Sequence, residues 1–185
     1  GTYFEHDILV KSGVSLWSGT LQASCVTIDA QGKGRGLIFS NADSSTSIVG
    51  FTVTGGVAHP EDLLGQGGGI LFVKSQPKIS NCVVIGNHAE TGGGFFADQG
   101  STLNFSNCRI EKNTATFMGG GGAFAGDNGL VTGCQFLDNI ALSGGGLFLQ
   151  KASSVQVNES YFGNNSAGNC GGGVLLIGSE CTMEG

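Results

Sequence analysis

Four asparagines at a constant interval constrain this chain more than any other feature. Asn87, Asn113, Asn139 and Asn165 follow one another at steps of 26 residues. Three further columns keep the same step without slippage. They are Cys82, Cys108, Cys134 and Ser160; Val84, Ile110, Phe136 and Phe162; and Ala89, Ala115, Ala141 and Ala167. A period in the 20–50 residue range marks a solenoid, in which each repeat is one supersecondary unit stacked on the next.

The content of the repeat selects the kind of solenoid. Between the asparagines runs a second signature, glycines followed by apolar residues: Gly67-Gly-Gly-Ile-Leu-Phe72, Gly92-Gly-Gly-Phe-Phe96, Gly119-Gly-Gly-Gly-Ala-Phe124, Gly144-Gly-Gly-Leu-Phe148 and Gly171-Gly-Gly-Val-Leu175. Apolar residues alternate over short runs, with Cys82 and Val84 expected inward and Val83 and Ile85 outward. No helical period persists, and glycine recurs in every repeat, so helical repeats are excluded. Short strands punctuated by Gly and Asn give an all-β fold, a right-handed parallel β-helix of six to seven coils. At ~4.8 Å per coil the rod is roughly 30 Å long.

Residues 51–185 read as regular repeats and residues 1–50 as irregular first coils. Phe51-Thr-Val-Thr54 is expected to be a further copy with Thr54 in the Asn position. That places it 33 residues before Asn87, seven more than the period, and the excess maps to a longer loop at 57–66. Ile8–Leu16 and Val26–Ile28 read as early strands. The chain lacks an initiating Met and stops partway through a repeat at Cys181-Thr-Met-Glu-Gly185, so a single β-helix segment of a longer chain is expected.

Composition narrows the function classes. Gly is 35 of 185 residues and Pro only 2, yet 39% of residues are apolar, which separates this chain from a disordered Gly-rich linker. Charged residues are 12% and the net charge is −6. With Arg35 and Arg109 as the arginines there is no basic stripe for nucleic acid. No apolar run reaches the ~18 residues of a membrane helix.

Each column has a structural role. The asparagines are expected to bond amide to amide up the axis and to cap turn carbonyls, tolerating left-handed backbone. The glycine runs are expected to supply positive φ at sharp bends. Val84, Ile110, Phe136 and Phe162 are expected to fill the interior. Cys82, Cys108 and Cys134 read as buried small thiols with raised pKa. A linear column broken by Ser160 does not converge as zinc ligands must, so no metal site is assigned. Cys25, Cys170 and Cys181 stand outside the column, and the sequence leaves their pairing open.

An enzyme on this fold needs carboxylates gathered at one angular position, for acid–base work or Ca²⁺. The outward column Val83, Arg109, Gln135, Tyr161 has no acid. The next, Ile85, Glu111, Leu137, Gly163, has one. Asp98, Asp127 and Asp138 fall in different parts of their repeats. No catalytic residue is assigned and no cofactor is required; the 57–66 loop, with His59, Glu61 and Asp62, is the best place for a site if there is one. Asn104, Asn158 and Asn164 open N-x-Ser sequons, candidates for N-glycans in a source that glycosylates secreted proteins. Trp17 reads either as a sugar platform or as a cap on the first coil.

The pairing of Gly-Gly-apolar with Phe-x-x-Asn resembles the repeats of polymorphic outer-membrane proteins. Phe136-Leu-Asp-Asn139 and Phe162-Gly-Asn-Asn165 match in full, and the copies at Val84 and Ile110 carry an aliphatic residue for Phe. The resemblance covers residues 51–185. The first 50 residues, with Val26-Thr-Ile-Asp29 and Gly32-Lys-Gly34, are similar to the wider pectin-lyase-like β-helix superfamily. The resemblance implies a surface-exposed adhesin passenger. The expectation is therefore an extracellular, non-catalytic structural or adhesive β-helix at the cell surface. Its expected partners are other copies or continuing chain at the coil ends, with glycans or surface proteins on its faces. The alternative is a carbohydrate-active lyase or hydrolase, or a sugar-binding module of the same fold.

Overall fold

A computed structural model describes residues 1–61, 65–152 and 154–185. It is a parallel β-helix of seven coils. The fourth coil displays the full pattern: Val83–Ile85, His88–Thr91, Phe95–Ala97 and Thr102–Ser106. These strands belong to sheets 1, 2, 3 and 4 respectively. Among the described residues sheets 1, 3 and 4 have seven strands each, one per coil, and sheet 2 has four, contributed by coils 4 to 7.

The register follows the sequence columns. Val84 pairs with Ile110, Ile110 with Phe136 and Phe136 with Phe162, all in parallel. Alternation in a strand sends every second side chain inward, and Val84, Ile110 and Phe136 are fully buried. Each such burial contributes about 1.5–3 kcal/mol. Phe162 is only partly buried against this core, because it lies in the last coil. Coil spacing also stacks rings: Phe136 and Phe162 lie 4.7 Å apart and 7° from parallel, and Phe39 and Phe72 are 5.1 Å apart.

Several expectations require correction. The ladder asparagines are not left-handed. The positive φ falls one residue earlier, at Gly86, Lys112, Asp138 and Asn164, and again at Asn81, Asn107, Gly133 and Glu159 before the Cys/Ser column. Each three-residue strand of sheet 1 in coils 4 to 7 is thus bracketed by two left-handed residues. In the glycine runs only the first glycine has positive φ, as at Gly92 with +70°. In coils 3 to 6 the next two are required by closeness: a Cβ on Gly94 would lie 2.9 Å from the Asn113 amide nitrogen, and one on Gly93 would lie 2.6 Å from the Gly120 carbonyl oxygen.

Thr54 does not occupy the Asn position. It pairs with Ile85, and the residue opposite Asn87 is Gly56, 31 positions earlier. The cause is the Phe-x-x-Asn frame, which suggested that a polar residue three after Phe51 must be the ladder residue. The excess chain lies between the bridges Val57–His88 and Gln66–Thr91. The early strand expected over Ile8–Leu16 is two strands, Ile8–Val10 and Ser15–Trp17, separated by a turn at Gly13 with φ +79°. The next strand is Thr27–Asp29.

Candidate functional site

The asparagine column is a continuous polar spine. Asn87 Nδ2 donates to Asn113 Oδ1 at 3.0 Å, Asn113 Nδ2 to Asn139 Oδ1 at 3.1 Å, and Asn139 Nδ2 to Asn165 Oδ1 at 2.9 Å. The same Oδ1 atoms accept the backbone N–H of the preceding ladder residue at 3.0 Å. Each Nδ2 also donates to a carbonyl of the coil before, from Val53 to Phe136. Asn87, Asn113 and Asn139 are fully buried, where such bonds have no competition from water.

The Cys/Ser column works in the same manner with weaker groups. Cys108 N donates to Cys134 Sγ at 3.4 Å, and Cys134 N to Ser160 Oγ at 3.1 Å. The thiols of Cys82, Cys108 and Cys134 donate to carbonyls two residues back. Burial pushes Cys108 well above the ordinary thiol value. Its neighbours depart from the expected rise: hydrogen bonding from the Cys108 thiol holds Cys82 and Cys134 below that value, against the opposing effect of burial. All six cysteines are free thiols.

Among the described residues the acidic side chains do not gather. Glu111 stands in the outward column as expected but is buried there between Ile85 and Leu137 of the adjoining coils, and its carboxylate forms ion pairs with Arg109 and, at 3.1 Å, Lys112. Asp98 accepts from Lys74 N and Ser101 Oγ, both at 2.8 Å, as a turn residue does. Asp127 is exposed, and Asp138 is half-buried in a left-handed turn. In the loop His59 is half-buried and Glu61 exposed; Asp62 lies outside the described residues. Among the described residues no three His, Cys, Asp or Glu side chains converge as metal ligands do. Trp17 is 67% exposed in the first coil. Of the sequon asparagines, Asn164 is exposed, while Asn104 and Asn158 are half-buried within strands.

Two features escaped the sequence reading. Arg35 is buried, and its Nε donates to the Gln66 carbonyl at 2.8 Å, tying down the end of the long loop. The second is a cavity of about 240 Å³ on the outer side of sheet 3. It adjoins a second apolar cluster, Leu71, Phe96, Ala123 and Phe148, which faces away from the main core. The available signal was the lack of bulk in Gly119-Gly-Gly-Gly-Ala-Phe-Ala-Gly126, where adjoining repeats carry large residues.

A family model described as a right-handed β-helix region matches residues 35–185. Neither the curated proteins nor the solved structures compared with the chain yield a match. Among the described residues no helix is long and apolar enough to cross a membrane.

Proposed function

The chain belongs to the right-handed β-helix family, and from that premise we propose that it is a non-catalytic extracellular scaffold: a structural or adhesive segment of a surface rod, fibre or passenger domain. The observation that carries this reading is the buried spine from Asn87 to Asn165. It commits the repeat's most regular polar side chains to holding coil on coil, which is what a stiff spacer requires. The finer assignment, to repeats like those of polymorphic outer-membrane proteins, is supported by Phe136-Leu-Asp-Asn139 and Phe162-Gly-Asn-Asn165. Its partners are then other copies or continuing chain at the coil ends, with glycans or surface proteins along the faces.

Two assays on the purified protein test the reading. One screens acidic and neutral polysaccharides for bond cleavage, with and without Ca²⁺. The other follows association by light scattering as concentration rises. The expected outcome is no cleavage and measurable association. Cleavage that disappears in Glu61→Gln, Asp62→Asn or Glu111→Gln would replace the scaffold with a carbohydrate-active enzyme. An inactive, strictly monomeric protein would remove the fibre and retain adhesion.

A further inference from the structure

We infer that the stacked thiols of Cys82, Cys108 and Cys134 form a binding site for one soft, two-coordinate metal cation, held as a linear sulfur–metal–sulfur bridge between adjacent coils. This goes beyond the scaffold reading and does not depend on it. The three side chains occupy one inward position in successive coils, just ahead of the paired residues Val83, Arg109 and Gln135. Each thiol donates to the carbonyl two residues back: Ser80 at 3.2 Å, Ser106 at 3.3 Å and Thr132 at 3.5 Å. Cys82 and Cys108 share a second kind of acceptor, the Ile48 and Ile79 carbonyls, one coil before the first. The same bonds in each coil require the same rotamer, so the sulfurs repeat at the coil spacing of about 4.8 Å.

That spacing decides what can join two of them. A disulfide needs Cβ atoms roughly 3.5–4.5 Å apart and sulfurs at about 2.05 Å, whereas in-register neighbours in one rotamer keep both pairs near the coil spacing. A metal ion on the line between two sulfurs needs the larger distance. At about 2.3 Å per metal–thiolate bond, the value for zinc, a linear bridge spans roughly 4.6 Å. Linear coordination by two thiolates is the habit of soft closed-shell ions, Cu(I), Ag(I) and Hg(II), and thiolates select that class. Zinc wants four converging ligands and calcium six or more oxygens. Among the described residues no three thiol, imidazole or carboxylate groups converge on one point.

The surroundings favour the same ion. The thiols lie in the apolar core with Ile79, Val84, Phe105 and Ile110, a setting that disfavours hard, hydrated ions. Binding breaks two S–H bonds and forms two metal–sulfur bonds; both protons leave to solvent and nothing is oxidised. With Hg(II) the bridge is neutral, which avoids the cost of a buried net charge. Cys134 Sγ already accepts the Cys108 N–H at 3.4 Å, an interaction that supports a thiolate. Ser160 continues the column in the same rotamer, its Oγ donating to the Asn158 carbonyl at 2.9 Å, but a hydroxyl is a hard donor and ends the site.

The test starts from protein carrying Cys25→Ser, Cys170→Ser and Cys181→Ser, so that the column holds the remaining thiols. Because Cys82, Cys108 and Cys134 are buried, Ag(I), Hg(II) or Zn(II) is added during refolding from urea. Unbound metal is removed by gel filtration before native mass spectrometry. The expected result is one Ag(I) or Hg(II) per chain, with ultraviolet sulfur-to-metal absorption, and loss of Zn(II) on the column. Cys108 belongs to both adjacent pairs. Cys108→Ser leaves the outer thiols about 9.6 Å apart and should lose the ion, yet it should fold, since Ser160 fits the same position. Cys82→Ser and Cys134→Ser each leave one adjacent pair and should keep the ion. No retained Ag(I) or Hg(II), an ion kept by folded Cys108→Ser protein, or an ion lost from either outer variant would overturn the inference. So would equal retention of Zn(II), or a disulfide between two of these cysteines in aerated protein.

Discussion

Asn113 is the residue on which the spine can be tested most directly. Its Oδ1 accepts both the backbone N–H and the Nδ2 of Asn87, and its Nδ2 donates to the Val84 carbonyl and to Asn139. Alanine removes all four contacts and leaves the buried N–H of Asn87 without its acceptor. An unsatisfied buried group of this kind costs about 1–3 kcal/mol, and Asn113→Ala is expected to destabilise by that amount. Asn139→Ala should match it. So should Asn87→Ala, in spite of the adjacent long loop, because Asn87 keeps three of the four contacts and its Oδ1 accepts from Gly56 N at 2.8 Å, a donor that alanine would likewise leave without its acceptor. The measurement is the midpoint of urea unfolding at unchanged slope. All three variants within error of the parent would mean that the spine is incidental to stability. The left-handed residues beside it explain why the spine matters. Lys112 and Asp138 hold φ of +52°, a conformation costing roughly 1–2 kcal/mol for a residue with a Cβ, and the ladder bonds on the next residue hold them there.

At the scale of the strand and turn, the glycine run fixes how closely coils approach where sheet 2 gives way to sheet 3. Gly93 is the informative position, since its own φ is ordinary and its cost on substitution is purely one of space. A Cβ there collides with the carbonyls of Thr114 and Gly120, which are backbone and cannot step aside. Gly93→Ala is expected to lose about 1–3 kcal/mol, the usual penalty of overpacking. Gly168→Ala, whose Cβ would meet only the Leu142 side chain at 3.5 Å, should be close to neutral in thermal melts. Equal losses at both positions would assign the effect to glycine content rather than to coil contact. The same element marks what was legible in the sequence. Periods and alternation are written in residue types, so the strands, the register of Val84 with Ile110 and the inward columns could be read directly. Distances between coils are not written there. The two reasons for glycine within one run therefore look alike in the sequence, and Thr54 resembles a ladder residue although the slot belongs to Gly56. Burial of Glu111 depends on Arg109 and Lys112 pairing with it, and the cavity depends on which gaps a neighbouring ring fills. Both are decided by packing across coils.

For the molecule as a whole, the change of step from 31 to 26 residues divides the rod. Among the described residues coils 4 to 7 share four sheets and the asparagine spine, whereas coils 1 to 3 share three, the third touching sheet 2 through the bridges at Val57 and Gln66, and the spine ends where Gly56 donates to Asn87. In a solenoid each coil contacts only its neighbours, so stability is close to a sum of nearest-neighbour terms and a local defect stays local. Asn139→Ala offers a test of that view by hydrogen exchange. Removing it takes the acceptor from Asn113 N and cuts two links of the spine. Amides of Gln135–Leu137 and Leu147–Gln150, in the coil that loses the side chain, are expected to exchange about tenfold faster, as a loss near 1.4 kcal/mol requires. Amides of Leu37–Ser40 in the second coil, four coils away, are expected to keep their parent rates. If the second coil accelerates as much as the sixth, the rod opens as a single cooperative unit and the division at Gly56 has no energetic meaning. If only the sixth and its neighbours respond, the repeat that was read from four asparagines is also the unit in which the protein stores its stability.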